Sequence, residues 1–121
     1  MKVTVRITKN FKSEAKPLLK KYPSLHQDLQ ELENKLLQDP KTGMEIGKNA
    51  YKIRLRIKSK GKGKSGGARV ITYLEHLIIA ELNSSVHETT VNLISIYDKG
   101  DTATISDYEL KRLIQIFHSA K

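Results

Sequence analysis

Eight consecutive residues, Tyr51 to Lys58, alternate without a break, with Tyr51, Ile53, Leu55 and Ile57 on one side and Lys52, Arg54, Arg56 and Lys58 on the other. A period of two belongs to a β-strand with one face buried and one face wet. The segment therefore has to lie in a sheet, its aliphatic face on a core and its basic side chains in a row. Any fold open to this chain must cover one side of that strand.

The same region holds the charge. From Ile46 to Leu74 there are nine Lys and Arg residues and no Asp or Glu, and the whole chain carries +9, so the remainder is balanced. Like charges gathered this way repel unless an anionic partner neutralises them, and phosphate is the obvious candidate. Beyond Lys58 runs KSKGKGKSGG, where glycine and serine weaken regular structure and the closely set Lys60, Lys62 and Lys64 repel one another. This predicts a loop between two strands, with Arg69 opening the second. Basic loops are often merely solvated; a basic row joined to a basic loop calls for more. Gly63, Lys64 and Ser65 match the end of a phosphate-binding P-loop, but the earlier glycine is replaced by Lys58 and the following segment reads as strand, which argues against nucleotide hydrolysis.

The 121 residues make one domain, 1–121, with room for a single core. The lack of cysteine excludes disulfides, thiolate metal sites and cysteine catalysis. The opening MKVTVRITKN has no apolar run of signal-peptide length and no segment reaches membrane-span length, so a cytoplasmic protein without membrane contact is expected.

In chain order, Lys2–Thr8 alternates as a short strand. Asn10 offers an N-cap for a helix with Phe11, Ala15, Leu18, Leu19 and Tyr22 on one face, and Pro17 predicts a kink or a fresh start near residues 13–17. Ser24 and Gln27 suggest a capping box for a second helix carrying Leu25, Leu29, Leu32 and Leu36. Two helices so closely linked, each with one apolar face, predict an antiparallel hairpin over a sheet. KTGMEIGKN reads as a polar connector. The basic strand, its loop and a long hairpin with its tip near Ser84 and Ser85 then form an antiparallel meander. Ser106 and Glu109 cap a last helix with the stripe Leu110, Leu113, Ile114 and Phe117. The expected class is α+β, in the order β-α-α-β-β-β followed by a C-terminal helix.

Side-chain parity gathers the chemistry. With Ile53, Leu55, Ile57, Val70, Leu74, Ile94 and Ile96 under the helices, the other face of the sheet collects Lys52, Arg54, Arg56, Arg69, Tyr73, Tyr97 and Lys99 as a cationic, tyrosine-bearing concavity. The basic region contains no carboxylate and His26, His76, His87 and His118 are scattered, so no metal site and no cofactor is expected.

The segment YKIRLRIKSKGKGKSGGARVITY, followed by LISIYDKGD, resembles the RelE/ParE toxin superfamily, and more narrowly the HigB-like and RelE-like toxins of type II toxin-antitoxin modules. The resemblance spans the whole order of elements and implies a RelE-like fold. It also implies a ribosome-dependent mRNA endoribonuclease held inactive by a cognate antitoxin, in which the ribose 2′-OH attacks the adjacent phosphate to leave a 2′,3′-cyclic phosphate. Arg69 matches the family arginine after the loop, Lys99 falls where some members have arginine, and Lys60, Lys62 and Lys64 match the loop lysines. A tyrosine that some relatives use near the C-terminus has only Tyr108 as a loose counterpart, so Tyr97, inside the matching IYDK, is carried over instead. The hairpin between Tyr73 and Leu93 is longer than the family pattern.

Those residue types suit the chemistry. A pentavalent phosphorane gains charge, which fixed guanidinium and ammonium groups stabilise, and arginine's fork matches two phosphate oxygens. Arg69, Lys99 and Tyr97 are the expected catalytic residues; Lys52, Arg54, Arg56, Lys58, Lys60, Lys62, Lys64 and Tyr73 are the expected RNA and ribosome contacts. A lysine crowded by other cations serves as a base, and a lysine or tyrosine as an acid, with no assignment between them. Two other readings stay open: a ParE-like inhibitor of DNA gyrase, and a non-catalytic RNA-binding protein held by counterion release.

Overall fold

The computed structural model describes residues 2–60, 66–81, 84–100 and 105–120. Their order is β1 (Lys2–Ile7), α1 (Lys9–Lys21), α2 (Leu25–Gln38), β2 (Met44–Gly47), β3 (Ala50–Leu55), a 3₁₀ turn at Lys58–Lys60, β4 (Ala68–Glu81), β5 (Ser84–Asp98) and α3 (Asp107–Ser119). The strands form one open sheet in the order β1-β5-β4-β3-β2, antiparallel except for the parallel pair β1 and β5. The α+β class and the mainly antiparallel sheet agree with the sequence reading.

One strand was not expected. KTGMEIGKN is more than a connector, because Met44–Gly47 pairs with Ala50–Lys52 through a tight hairpin. Lys48 and Asn49 take the positive φ values of 55° and 63° that a two-residue turn between twisted strands requires, and asparagine tolerates that conformation better than most residues.

The caps differ in detail as well. Thr8 rather than Asn10 caps α1, its hydroxyl accepting from the Phe11 N–H at 3.2 Å. Asn10 instead donates to the Ile94 carbonyl at 2.9 Å. β1 stops opposite Leu93 while β5 runs on to Asp98, and α1 supplies the missing partners: besides Asn10, Glu14 accepts from the Ser95 hydroxyl at 2.8 Å and from the Ile96 N–H at 3.4 Å. Pro17 lies inside an unbroken α1. Both it and Ser13, whose carbonyl loses a donor, are exposed, so water can satisfy the orphaned oxygen. Ser24 forms no capping bond and donates to Asp28 at 2.8 Å. Ser106 caps α3 as predicted.

The larger correction concerns the two faces of the sheet. On one side Ile53, Leu55, Ile57, Val70, Leu74, Leu93 and Ile96 pack against Phe11, Ala15, Leu18, Leu25, Leu32 and Leu36 from α1 and α2. On the other, Ala50, Ile71 and Ile94 pack with Leu110 of α3, flanked by Tyr73, Tyr97, Leu113, Ile114 and Phe117. The far face is therefore partly roofed by α3 and is not an open concavity. Ile94 changes sides because the β4–β5 register slips: Ile71 pairs with Ser95, but Thr72 pairs with Leu93. One extra residue in β5 is a bulge, and a bulge reverses the alternation beyond it.

Gly67 lies where β3 and β4 close on each other. A Cβ there would overlap the Leu55 carbonyl and lie 3.2 Å from the Arg56 Cα, and backbone atoms cannot swing aside. Gly67→Ala is expected to cost about 3 kcal/mol, the upper part of the range for overpacking. Urea unfolding measures it, and an unchanged midpoint would show that the crossing has slack.

Candidate nucleic-acid interface

The alternation in β3 becomes a set of cross-strand rows. Arg54 lies directly opposite Arg69 on β4, and Arg69 directly opposite Tyr97 on β5. Directly opposed residues share a face, with Cβ atoms about 4.5–5.5 Å apart, so the row crosses three strands within about 10 Å. Lys52 stands opposite Ile71 in the next row. Arg54 and Arg56 are exposed and Lys52 is half-buried. Arg69 is only 5% exposed and donates through Nη1 to the Ala68 carbonyl at 3.2 Å. The sequence reading placed Arg69 on an open surface; the structure buries the whole residue, guanidinium included.

Tyr97 and Tyr73 both sit under α3. The Tyr97 hydroxyl is buried and makes no hydrogen bond of good geometry among the described residues. Burial raises its pKa above the ordinary tyrosine value; the Ile105 backbone and the Arg69 charge oppose this, and Glu109 adds to the rise. Tyr73 packs its ring 5.5 Å from Phe117 and its hydroxyl lies 3.3 Å from His118 Nε2, so it is tied to the end of α3. Lys99 is half-buried just past β5, its N–H bonded to the Gly67 carbonyl at 3.1 Å. Tyr108 is exposed on α3.

The basic loop is anchored at its start by carboxylates from elsewhere in the chain. Lys60 Nζ donates to Asp98 Oδ1 at 2.7 Å, the Tyr22 hydroxyl donates to Asp98 Oδ2 at 2.7 Å, and the Gly100 N–H donates to Oδ1 at 2.9 Å. Lys58 pairs with Glu31 at 2.9 Å, while its N–H and that of Ser59 bond to Asp28 and Ser24. Lys60 thus turns inward, with a side chain 15% exposed, and is not an outward phosphate anchor. Lys58 is half-exposed in a surface pair of the kind that contributes little to stability. Lys62 and Lys64 lie outside the described residues.

What remains facing outward is a band along the outer edge of β3. β2 pairs only as far as Lys52, so the edge beyond it is bordered by two shallow clefts of about 240 and 320 Å³. Lys35 and Arg54 line both, Lys52 lines one, and Arg56 and Lys58 line the other, with Asp28 and Glu31 on its α2 side. Lys35 escaped the sequence reading because nothing in α2's own pattern sets it beside β3. Asp98 was in view, inside the IYDK segment, but its pairing with Lys60 joins residues 38 positions apart.

No protein-family model matches the chain, and comparison with curated proteins and with solved structures gives no match.

Burial alone would raise the Asp98 carboxyl, but the hydrogen bonds from Lys60, Gly100 and Tyr22 overcome that and hold it at about 2, against an ordinary 3.8. A depressed folded-state value contributes stability that is present above the unfolded value and is lost as pH falls toward the folded one. That contribution is about 2 kcal/mol. Urea unfolding between pH 5 and 2 is expected to show it disappear in the parent, while Asp98→Asn is destabilised at pH 7 and lacks this part of the slope. Matching pH profiles for the two proteins would remove Asp98 from this role.

Proposed function

We propose that this chain is a toxin of the RelE-like kind, a metal-independent endoribonuclease that cuts mRNA on the ribosome and is restrained by a cognate antitoxin in the cytoplasm. The observation that carries the reading is the Arg54–Arg69–Tyr97 row. Two arginines directly opposed in register across an antiparallel ladder bring like charges near each other, which is unfavourable. A phosphate between them converts that repulsion into a two-sided clamp, with one guanidinium preorganised by burial and one free to meet the ligand. The basic band from Lys35 to Arg56 supplies a track for the flanking phosphates. The order of elements, and the resemblance carried by the KIRL strand, the lysine-glycine loop and IYDK, support the RelE-like reading of the fold.

The chemistry follows from these positions. The 2′-oxygen forms a bond to phosphorus and loses its proton to a base, the bond from phosphorus to the 5′-oxygen breaks, and that oxygen takes a proton. Arg69 and Arg54 stabilise the charge that grows on the non-bridging oxygens. Tyr97, protonated at neutral pH as any tyrosine is, can supply the proton to the leaving 5′-oxygen; burial raises its pKa, so the positive charge of Arg69 beside it has to favour the transfer. Lys99 adds a further cation next to the row. RNA can reach Tyr97 only if α3 lifts, and α3 is lightly seated: among its described residues only Leu110 is fully buried. An antitoxin with an acidic segment would compete for the same basic band.

Arg54→Ala removes an exposed group, so the melting temperature should be unchanged while cleavage falls by about 10- to 100-fold. Arg69→Lys keeps charge and bulk but loses the fork, and cleavage should fall by about 10²–10³-fold. The measurement is 5′-end mapping of transcripts after induction, with cuts in register with codons expected for the parent. Intact transcripts together with inhibited DNA supercoiling would replace this reading with the gyrase-directed one, and RNA binding without cuts would replace it with passive binding.

A further inference from the structure

The basic margin of β3 holds two groups of the wrong sign. In the cleft of about 240 Å³ between α2 and β3, Asp28 and Glu31 share the wall with Arg54, Arg56 and Lys58. Leu32, Ile53 and Leu55, all buried, give the same cleft an apolar lining. A track for phosphates alone has no use for carboxylates, which repel the backbone they would face. Glu31 is accounted for by its surface pair with Lys58 at 2.9 Å. Asp28 is not.

Asp28 is 3% exposed and joins no ion pair among the described residues. Its Oδ2 accepts from the Ser24 hydroxyl at 2.8 Å and from the Lys58 N–H at 3.2 Å, while Oδ1 is buried with no hydrogen-bond partner among the described residues. A neutral amide would serve those two donors equally well, so the fold does not explain the second oxygen or the charge. A buried acceptor left unmet is costly, and this one calls for a donor from outside the fold. The larger groove of about 400 Å³ between α1 and α2 has no such feature: Lys12 and Lys16 stand at its rim, but its buried lining of Phe11, Ala15 and Leu93 is wholly apolar.

The surroundings narrow the choice of donor. A carboxylate only accepts, and Lys35, Arg54, Arg56 and Lys58 around it repel a cationic donor such as another protein's lysine or arginine. The donor must be neutral and must bring an anion of its own for those cations. A nucleotide does both. Guanine sets N1–H and its N2 amine side by side on one edge, whereas adenine and cytosine place a single amine beside an acceptor nitrogen and uracil holds one N–H between two carbonyls. Guanine alone meets two carboxylates without turning an acceptor toward either.

We infer that this cleft receives a guanine base of single-stranded RNA, with N1–H donating to Asp28 Oδ1 and the N2 amine to Glu31. The ring lies on the apolar lining and the phosphate beside it meets Arg54 and Arg56. Unpaired RNA bases are commonly read on this edge. The inference rests on the RNA-directed reading of the margin and adds base selectivity to it. Oδ1 is closed to solvent in the free protein, so side chains around it move to admit the base; Lys58 and Glu31, each about half exposed in a pair that contributes little, are free to do so.

The probe is a fluorescein-labelled pentamer of uridines with guanosine, inosine or adenosine at its centre, 2′-O-methylated throughout so that it cannot be cut, and the readout is anisotropy at one fixed salt concentration. The parent is expected to bind the guanosine pentamer about 10- to 100-fold tighter than the adenosine one, with inosine, which lacks the N2 amine, in between. Asp28→Asn has to turn its carbonyl oxygen to the donors from Ser24 and Lys58, which sets its amide N–H groups where the unmet oxygen stood, and the preference should vanish. Glu31→Ala, at an exposed position, should melt with the parent and bring guanosine down to the affinity of inosine; it decides the matter alone if Asp28→Asn does not fold. Equal affinity of the parent for all three pentamers, or a guanosine preference that survives both substitutions, would overturn the inference. Codon-periodic cuts without any base preference would overturn it too and leave the nuclease reading standing, while a guanosine preference in a protein that cuts nothing would uphold the cleft and remove the nuclease.

Discussion

The basic half of this molecule depends on one buried carboxylate. Asp98 ends β5 at 4% exposure and takes hydrogen bonds from the C-cap residue of α1, from the last residue of the 3₁₀ turn and from the backbone just beyond the strand. Three parts of the chain that share no sequence neighbourhood are thereby fixed to the end of β5, an interior strand. A charge taken out of water is tolerable only when its partners are placed to replace the lost hydration, and here three donors do so. The start of the lysine-glycine segment, at Lys58–Lys60, is therefore held firmly against the fold. Lys60, drawn inward for this purpose, is also held close to the Tyr22 ring, with its charge 5.6 Å from the ring centre.

A second constraint follows from a sheet with apolar residues on both faces. α1 and α2 cover one face and α3 the other, yet β5 must send Leu93 and Ile96 one way and Ile94 the other, a spacing no regular strand allows. The bulge opposite Ile71 resolves it. It also turns Ser95 toward Glu14 of α1, which finishes the hydrogen bonds that β1, too short, leaves open. The consequence for function is direct. The face that holds Tyr73 and Tyr97 is roofed by α3, while Lys52 and Arg54 lie toward the β3 margin, where they line the outer clefts. The marginal cations and the half-buried tyrosines thus occupy different parts of one face.

Much of this was legible in the chain. The helical stripes of α1, α2 and α3, the basic strand and the long hairpin each write their period locally and formed there, but β3 ends at Leu55, short of the expected Lys58, and Ser84 and Ser85, expected at the hairpin tip, belong to β5. What escaped depends on one residue or on distance. The bulge changes the parity of a strand by a single position with no glycine or proline to mark it. β2 is four residues long, too short for its alternation of Met44 and Ile46 to stand out, although the Gly47-Lys48-Asn49 turn could have betrayed it. Arg69, Arg54 and Tyr97 were each picked out, and pairing brought them into one row. The inward turn of Lys60 was not legible, because a lysine among lysines and glycines looks solvated until the carboxylate that claims it is located in space.

The division of charge makes sense as a whole. A chain of +9 that gathers its cations around β3, its loop and α1 carries a standing repulsion between them, eased among the described residues where Asp98 and Glu31 meet Lys60 and Lys58. An anionic partner would relieve it further. The β3 margin offers closely spaced, fork-shaped guanidinium groups, which suit the paired oxygens of a phosphate. α1 offers single ammonium groups around an apolar groove, a surface of mixed character. Two surfaces of the same sign are thus distinguished by the residues that bear the charge and by what lies between them. A polyanion with no apolar surface matches the margin and not the groove, so the two basic surfaces select different chemistry.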